Sequence, residues 1–182
     1  NVFHANGGSA SFSVMANTLR GVYGTDVLLA TANSFTGSVL QADYNKKMAA
    51  SMIMPNGLMS RRRTMTGAEL KETVRAFVEG WEGGFVPFNR GSLPVVSGIA
   101  VEVKEAGGSY TLTGITRNGQ PLRDDDTVTV TCLAAENQME ALLASESGTS
   151  LDGDTWVKNR WRDHVSGGGA ALAEPENYMT LR

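Results

Sequence analysis

The stretch Met65-Thr66-Gly67-Ala68-Glu69-Leu70-Lys71 carries a helix start in seven residues. The Thr66 hydroxyl can accept a hydrogen bond from a free N–H of the first turn. Glu69, three residues on, can reach back to the N–H of Thr66 itself, which closes a capping box. Behind the cap, Leu70, Val74, Phe77, Val78 and Trp81 fall on one helical face. Gly80, Gly83 and Gly84 then stop the run. The spacing predicts a helix over 66–81, with an apolar side that needs a core to pack against.

Upstream of this helix, Phe12, Met15, Leu19 and Val22 recur at steps of three and four and predict another helix, ended by Gly24. Asp26-Val27-Leu28-Leu29-Ala30 follows as a short continuous apolar run. It suits a buried strand, and periodicity alone leaves a short helix open. Thr31 to Ser38 reads as a loop of small residues, and Pro55-Asn56-Gly57 breaks the methionine-rich stretch Met48–Met59 with a turn. Arg61-Arg62-Arg63, like Asp124-Asp125-Asp126, reads as a solvated loop or edge. Were the arginines in a strand, alternation would turn the middle one away from its neighbours.

Downstream the period changes. Ile99, Val101 and Val103 alternate with Ala100, Glu102 and Lys104, the mark of a half-buried strand. Tyr110, Leu112 and Ile115 make a second strand, Asn118-Gly119 is the preferred pair for a tight hairpin turn, and Thr127–Leu133 supplies a third strand. Residues 135–145 read as helical, and Trp156–Val165 as a last amphipathic helix ended by Gly167-Gly168-Gly169. The fold class expected is α+β (mixed α/β): helices packed on a mixed sheet, with an antiparallel meander in the second half. Residues 1–10 read as a lead-in segment and 11–182 as one domain.

The 182 residues suffice for one domain with a sizeable core, and 41% apolar residues with a net charge of −3 describe an ordinary globular chain. Acids outnumber bases, so no nucleic-acid partner is expected. No apolar run approaches the ~20 residues needed to span a bilayer. Cys132 is the only cysteine, which removes an internal disulfide framework and a cysteine-based zinc site. That usage fits a periplasm, a cell surface or a cytosol equally. Asn1 is not an initiator Met, and the reading expects a mature form or a segment of something longer. His4 and His164 are the only histidines, and neither stands in a ligand-spaced set with Asp. His164 reads as an exposed residue of the last helix, and Trp81, Trp156 and Trp161 as core or interdomain packing.

Taken in order, these segments resemble the C-terminal domain of the bacterial 5'-nucleotidase family. Met65–Lys71 is similar to its "LTGAELK" helix start, and Gly24-Thr25-Asp26-Val27-Leu28-Leu29 to "GADVAL". Met54-Pro55-Asn56-Gly57 stands where the family has "LPFGN", and Leu93–Ile99 resembles "FLQVSGL" at the start of the first meander strand. Thr116–Leu122 resembles "VNGKPLD", and Thr127–Val130 with Leu133-Ala134-Ala135 resembles "YTVATNDFLAAGGDGY". The closing segment, with Pro175, Tyr178 and Leu181-Arg182, also fits, so the likeness runs from about residue 11 to the end.

The resemblance implies a substrate-binding domain serving an upstream metallophosphoesterase domain of the same polypeptide. Two divalent metals would sit in that missing N-terminal domain, with no cofactor in this one. It also implies a nucleotide-like ligand and a periplasmic, secreted or cell-surface address. The site itself departs from the family. Where its "NGGGIR" loop ends in an Arg that forks onto the substrate, this chain has Thr36. Where two aromatic rings sandwich the base, it has Asn56 and Cys132. Three readings stand: divergent loops that bind no nucleotide, a pocket of altered specificity built from Asn33, Phe35, Asn56 and Asn137, or nucleotide binding kept through shifted residues. Phe35 is near enough to stand in for a lost ring. The fragment alone is expected to be catalytically inactive, with a non-catalytic binding module as the alternative.

Overall fold

The computed structural model describes residues 10–31, 34–35, 51, 53, 59–79, 94–107, 109–134, 149–150, 157–166 and 178–182. Helix α1 (Ala10–Tyr23) carries Phe12, Met15 and Leu19 into the core, as their spacing predicts, with Ala16 and Tyr23 beside them. It closes in a Schellman pattern. Gly24, at φ 61°, sends its N–H to the carbonyl of Gly21 at 3.1 Å, and Thr25 reaches Arg20 at 3.3 Å. The apolar run that follows is strand β1 (Val27–Thr31), with Val27, Leu28, Leu29 and Ala30 all buried.

Strand β2 (Met59–Thr66) leads directly into α2 (Gly67–Glu79). The capping box forms: the Thr66 N–H donates to Glu69 at 2.7 Å, and the Glu69 N–H donates to the Thr66 hydroxyl at 3.2 Å. The carbonyls of Asp126 and Asp124 take the next two free donors, from Gly67 at 2.7 Å and Ala68 at 3.1 Å. That approach needs glycine at 67, where a Cβ would sit 1.9 Å from the Arg123 carbonyl oxygen. Leu70, Val74 and Val78 are buried, while the Phe77 side chain and Trp81 lie outside the described residues.

The run Arg61-Arg62-Arg63, expected as a solvated loop or edge, is instead the middle of β2. It pairs antiparallel with β7 (Thr127–Ala134) through all eight residues and with the short β8 (Thr149–Ser150) on the other side. The arginines alternate as a strand demands: Arg62 is exposed, while Arg61 and Arg63 are half-buried. The backbone of the run is satisfied by the ladder, and long side chains carry their charge outward from it.

Two sheets result. The first has the order β3-β1-β7-β2-β8, where β3 is Pro94–Ser97, and β1 and β7 run parallel in its centre. The second has the order β6-β5-β4-β9, built from β4 (Ala100–Ala106), β5 (Ser109–Arg117), β6 (Gln120–Pro121) and β9 (Met179–Leu181). Strands β4, β5 and β6 form the expected meander, turning at Asn118 (φ 52°) and Gly119 (φ 74°). Two parts of the expectation are corrected. Leu93–Ile99 is not the start of a meander strand, because Pro94–Ser97 pairs with β1 and the chain changes sheet at Gly98. Thr127–Leu133 does not extend the meander either, because it returns to the first sheet between β1 and β2. The class is α+β with mixed sheets, as expected.

Helix α3 (Val157–Ser166) supplies the last amphipathic element and packs against α1, with Val157 and Trp161 buried. Trp161 is core, as read from the sequence, and Trp156 lies outside the described residues. Among the described residues, buried side chains from both sheets and the three helices join in one core. No described helix is long and apolar enough to cross a membrane.

Candidate functional site

The two ends of β1 present different surroundings. At its start, where α1 hands over to the sheet, polar side chains from four elements converge. Asn17 and Arg20 lie one turn apart on α1 and meet Ser97 at the end of β3. The Ser97 hydroxyl donates to the Asn17 side-chain oxygen and accepts from the Arg20 Nε at 2.8 Å. Asn17 and Ser97 are both buried, so this chain of bonds fixes the stem of the guanidinium.

Asp26 is the centre of the cluster. Its backbone N–H donates to the Thr129 hydroxyl at 3.0 Å. Its carboxylate accepts from the Thr129 N–H at 2.8 Å and from the Thr129 hydroxyl at 2.8 Å. A terminal nitrogen of Arg117, at the end of β5, donates to the other oxygen at 2.6 Å. The Thr129 N–H holds the Asp26 carboxyl below its ordinary range, against the opposing effect of burial, and the Thr129 hydroxyl, Arg117 and Arg20 add to the lowering. Beneath it, the Thr25 and Thr131 hydroxyls hydrogen-bond at 3.1 Å in the interior. Thr129 belongs to the first sheet, Asp26 stands just before its strand β1, and Arg117 belongs to the second sheet, so this cluster ties the two together. At Gly98 the backbones come close: a Cβ there would lie 2.0 Å from the Asp26 carbonyl oxygen, and φ is 83°.

Above the cluster lies a cleft of about 360 Å³, lined by Arg20, Asp26, Gly98, Thr116, Arg117 and Asn118 among others. Its chemistry is that of holding rather than reacting. Asp26 is a committed, ionised acceptor, and among the described lining residues the hydroxyls of Thr25 and Thr116 have no basic side chain hydrogen-bonded to them to activate them. The lone thiol, Cys132, is wholly buried in β7 and is pushed up to about 12 by that burial, so it stays protonated.

The other end of β1, about 17 Å away by strand geometry, leads on to Phe35, one of the candidate ligand contacts read from the sequence. Phe35 packs inward there at 4% exposure, its ring 5.7 Å from that of Phe12 and tilted by 37°, and its backbone bridges to Ile53. Asn33, Asn56 and Asn137 lie outside the described residues, as do Thr36 and the helix expected at 135–145. Among the described residues no three His, Cys, Asp or Glu side chains gather as a metal set requires. His164, expected to be exposed, is half-buried, with its Nε2 shielded and without a hydrogen-bond partner.

Sequence reasoning missed Arg20, Ser97, Arg117 and Thr129 as site residues. Asp26 was visible only as the head of an apolar run. The one local signal was Asn118-Gly119, whose turn fixes where Arg117 ends its strand.

No family model and no curated protein matches the chain. Solved structures do. A 5'-nucleotidase precursor from Thermus thermophilus superposes with a TM-score of 0.66 at 15% identity, over 94% of this chain and 34% of its own. The NAD nucleotidase of Haemophilus influenzae does so with a TM-score of 0.64 at 14% identity, over 100% and 37%. A sulfate thiohydrolase from Thermus thermophilus gives 0.64 at 11% identity, over 95% and 32%. The chain thus spans about a third of the length of each of these proteins, and at such identities the likeness is one of fold. That fold is the one the ordered motifs imply: the chain is built like the C-terminal domain of a 5'-nucleotidase.

Proposed function

We propose that residues 11–182 form the substrate-binding domain of a 5'-nucleotidase-like phosphohydrolase, presenting a nucleotide or related phosphoester to an upstream two-metal catalytic domain. The observation that carries this reading is the coverage: the likeness takes in nearly all of this chain and only about a third of each nucleotidase. A fold can host several chemistries, and the sulfate thiohydrolase among the neighbours makes that point for this one. Asn33, Asn56 and Asn137 remain the proposed ligand contacts, with Phe35, whose ring is buried against Phe12, contributing through its backbone, and residues 1–10 as the connection to the catalytic partner. An extracytoplasmic address goes with the reading, supported by a neighbour described as a precursor.

A specific observation favours a second reading, a non-catalytic binding module that has lost nucleotide recognition. Phe35, the ring available to replace a missing base clamp, is committed to Phe12 and the core. One experiment separates the two. The purified chain is titrated calorimetrically with adenosine, guanosine and uridine monophosphates and assayed for phosphate release with added divalent metals. Substrate presentation predicts no turnover and weak, saturable binding. Losing a stacked ring and a forked phosphate contact removes several kcal/mol, which leaves a dissociation constant of about a millimolar or worse. Absence of any saturable binding favours the module, and turnover by the chain alone overturns both readings.

A further inference from the structure

We propose that the cleft at the start of β1 is a separate binding site for a small oxyanion, a carboxylate or phosphoryl group, held between Arg20 and Arg117. The site is distinct in place from the loop that carries Phe35, being at the opposite end of the strand, and does not depend on the nucleotidase reading.

The argument starts from how the two guanidiniums are used. Arg20 gives its Nε to Ser97 at 2.8 Å, and among the described residues its two terminal nitrogens donate to nothing. Arg117 gives one terminal nitrogen to Asp26 at 2.6 Å and has no other hydrogen bond among them. Each is therefore pinned at one point and open at the rest, as a preorganised fork is. Immobilising such side chains ordinarily opposes binding. Here the Asn17–Ser97 pair and Asp26 have already done it.

Charge balance agrees. The lining carries two guanidiniums against the single carboxylate of Asp26. Asp126, the next acid to feel Arg117, is itself taken up by Arg123 through its backbone N–H at 2.9 Å and its guanidinium at 3.1 Å. One positive charge is left over. The carboxyl end of α1 would oppose an anion through the helix dipole, but the carbonyls of Arg20 and Gly21 are engaged by Thr25 and Gly24. The remaining lining is suited to a polar ligand: the Thr116 and Asn118 side chains have no hydrogen bond among the described residues, and Gly119 is exposed, with open space where a Cβ would stand.

The test is an amide-resolved and arginine-Nε-resolved NMR titration of the chain with sodium acetate, inorganic phosphate and sodium chloride at matched ionic strength. The expected result is saturable shifts at Gly98, Asn118, Gly119 and the Arg20 and Arg117 Nε–H groups with acetate, phosphate or both. The arm that saturates identifies the oxyanion class. Arg20→Gln should weaken binding at least about tenfold. Arg117→Lys keeps the charge and the partner Asp26 while losing the fork, and should weaken it severalfold. It carries the test if the Arg20 variant proves misfolded by its own spectrum. Shifts that never saturate, equal shifts with chloride, or undiminished binding in a folded variant would overturn the proposal.

Discussion

The start and the finish of β1, a strand of five residues, solve opposite problems. At the start, the chain must pass from a helix end into a buried sheet beside a second sheet, and polar backbone and side-chain groups are brought close to the interior. Each finds a partner far away in sequence: Asp26 with Thr129 and Arg117, Ser97 with Asn17 and Arg20. At the finish, Phe35 solves its placement by apolar burial against Phe12. The first end is a polar joint with two arginines left partly open to a cleft. The second is a ring absorbed into the core, where a ligand-facing ring was expected. A binding surface needs groups held in place yet not used up, and by that measure the start of β1 is the better prepared end.

The harshest way to break the joint is Gly98→Ala. The new Cβ would fall 2.0 Å from a backbone oxygen at a φ of 83°, so neither a rotamer change nor a small shift relieves it. Strain and overlap together predict a loss of about 5 kcal/mol, at the upper end for one substitution. Phe35→Ala attacks the other end and should cost about 4 kcal/mol, the usual result for a buried Phe. Urea melts of both variants check the pair. A neutral Phe35→Ala would mean that the ring is not core and is free for a ligand.

Asp26→Asn comes next, at about 2 kcal/mol, because a charged acceptor with both an N–H and a guanidinium donor is replaced by a neutral amide. Its signature is in pH. The Asp26 carboxyl lies below its ordinary 3.8 in the folded chain, so its contribution is fully present above that value and fades as pH falls through the folded one. Glu69 and Asp126 are lowered too and act in the same sense, through the Thr66 and Arg123 N–H groups respectively. Melting midpoints taken from about pH 6 to about pH 2 should therefore fall less steeply in Asp26→Asn than in the parent, without becoming flat.

What the sequence disclosed follows the same divide between near and far. The Thr66–Glu69 box, the Asn118-Gly119 turn and the alternation of Ile99, Val101 and Val103 are local, and each is where its spacing put it. Strand β2 was hidden because three arginines in a row look like a solvated surface, and only pairing with β7 shows that two of them are half-buried. The change of sheet at Gly98 was hidden because Pro94–Ser97 and Ala100–Ala106 are both apolar-rich and separated by two residues. The Asp26–Thr129 contact joins residues 103 apart, and nothing near either one announces the other. A candidate site assembled from such contacts is legible only after folding, whereas Phe35 stands out by its position beside a motif and yet faces inward.

The smallest effect serves as a control remote from both ends. Thr66→Ala removes one capping hydroxyl from α2 and should cost about 1 kcal/mol, with no change in oxyanion titrations at Gly98 or Asn118. A much larger loss would mean that α2 depends on its box more than on the Asp124 and Asp126 carbonyls that also cap it.

The most direct test of the central claim, that this is a substrate-presenting domain whose nucleotide contacts lie beyond the finish of β1, is an amide-resolved titration with uridine 5'-monophosphate. It is run on Arg20→Gln, so that the cleft at the start of β1 does not compete for the phosphate. The account predicts saturable shifts at Ser34, Phe35 and Ile53 with a midpoint of about a millimolar or above, and none at Gly98 or Gly119. Low-micromolar affinity, or no saturable shift beyond the finish of β1, would contradict it.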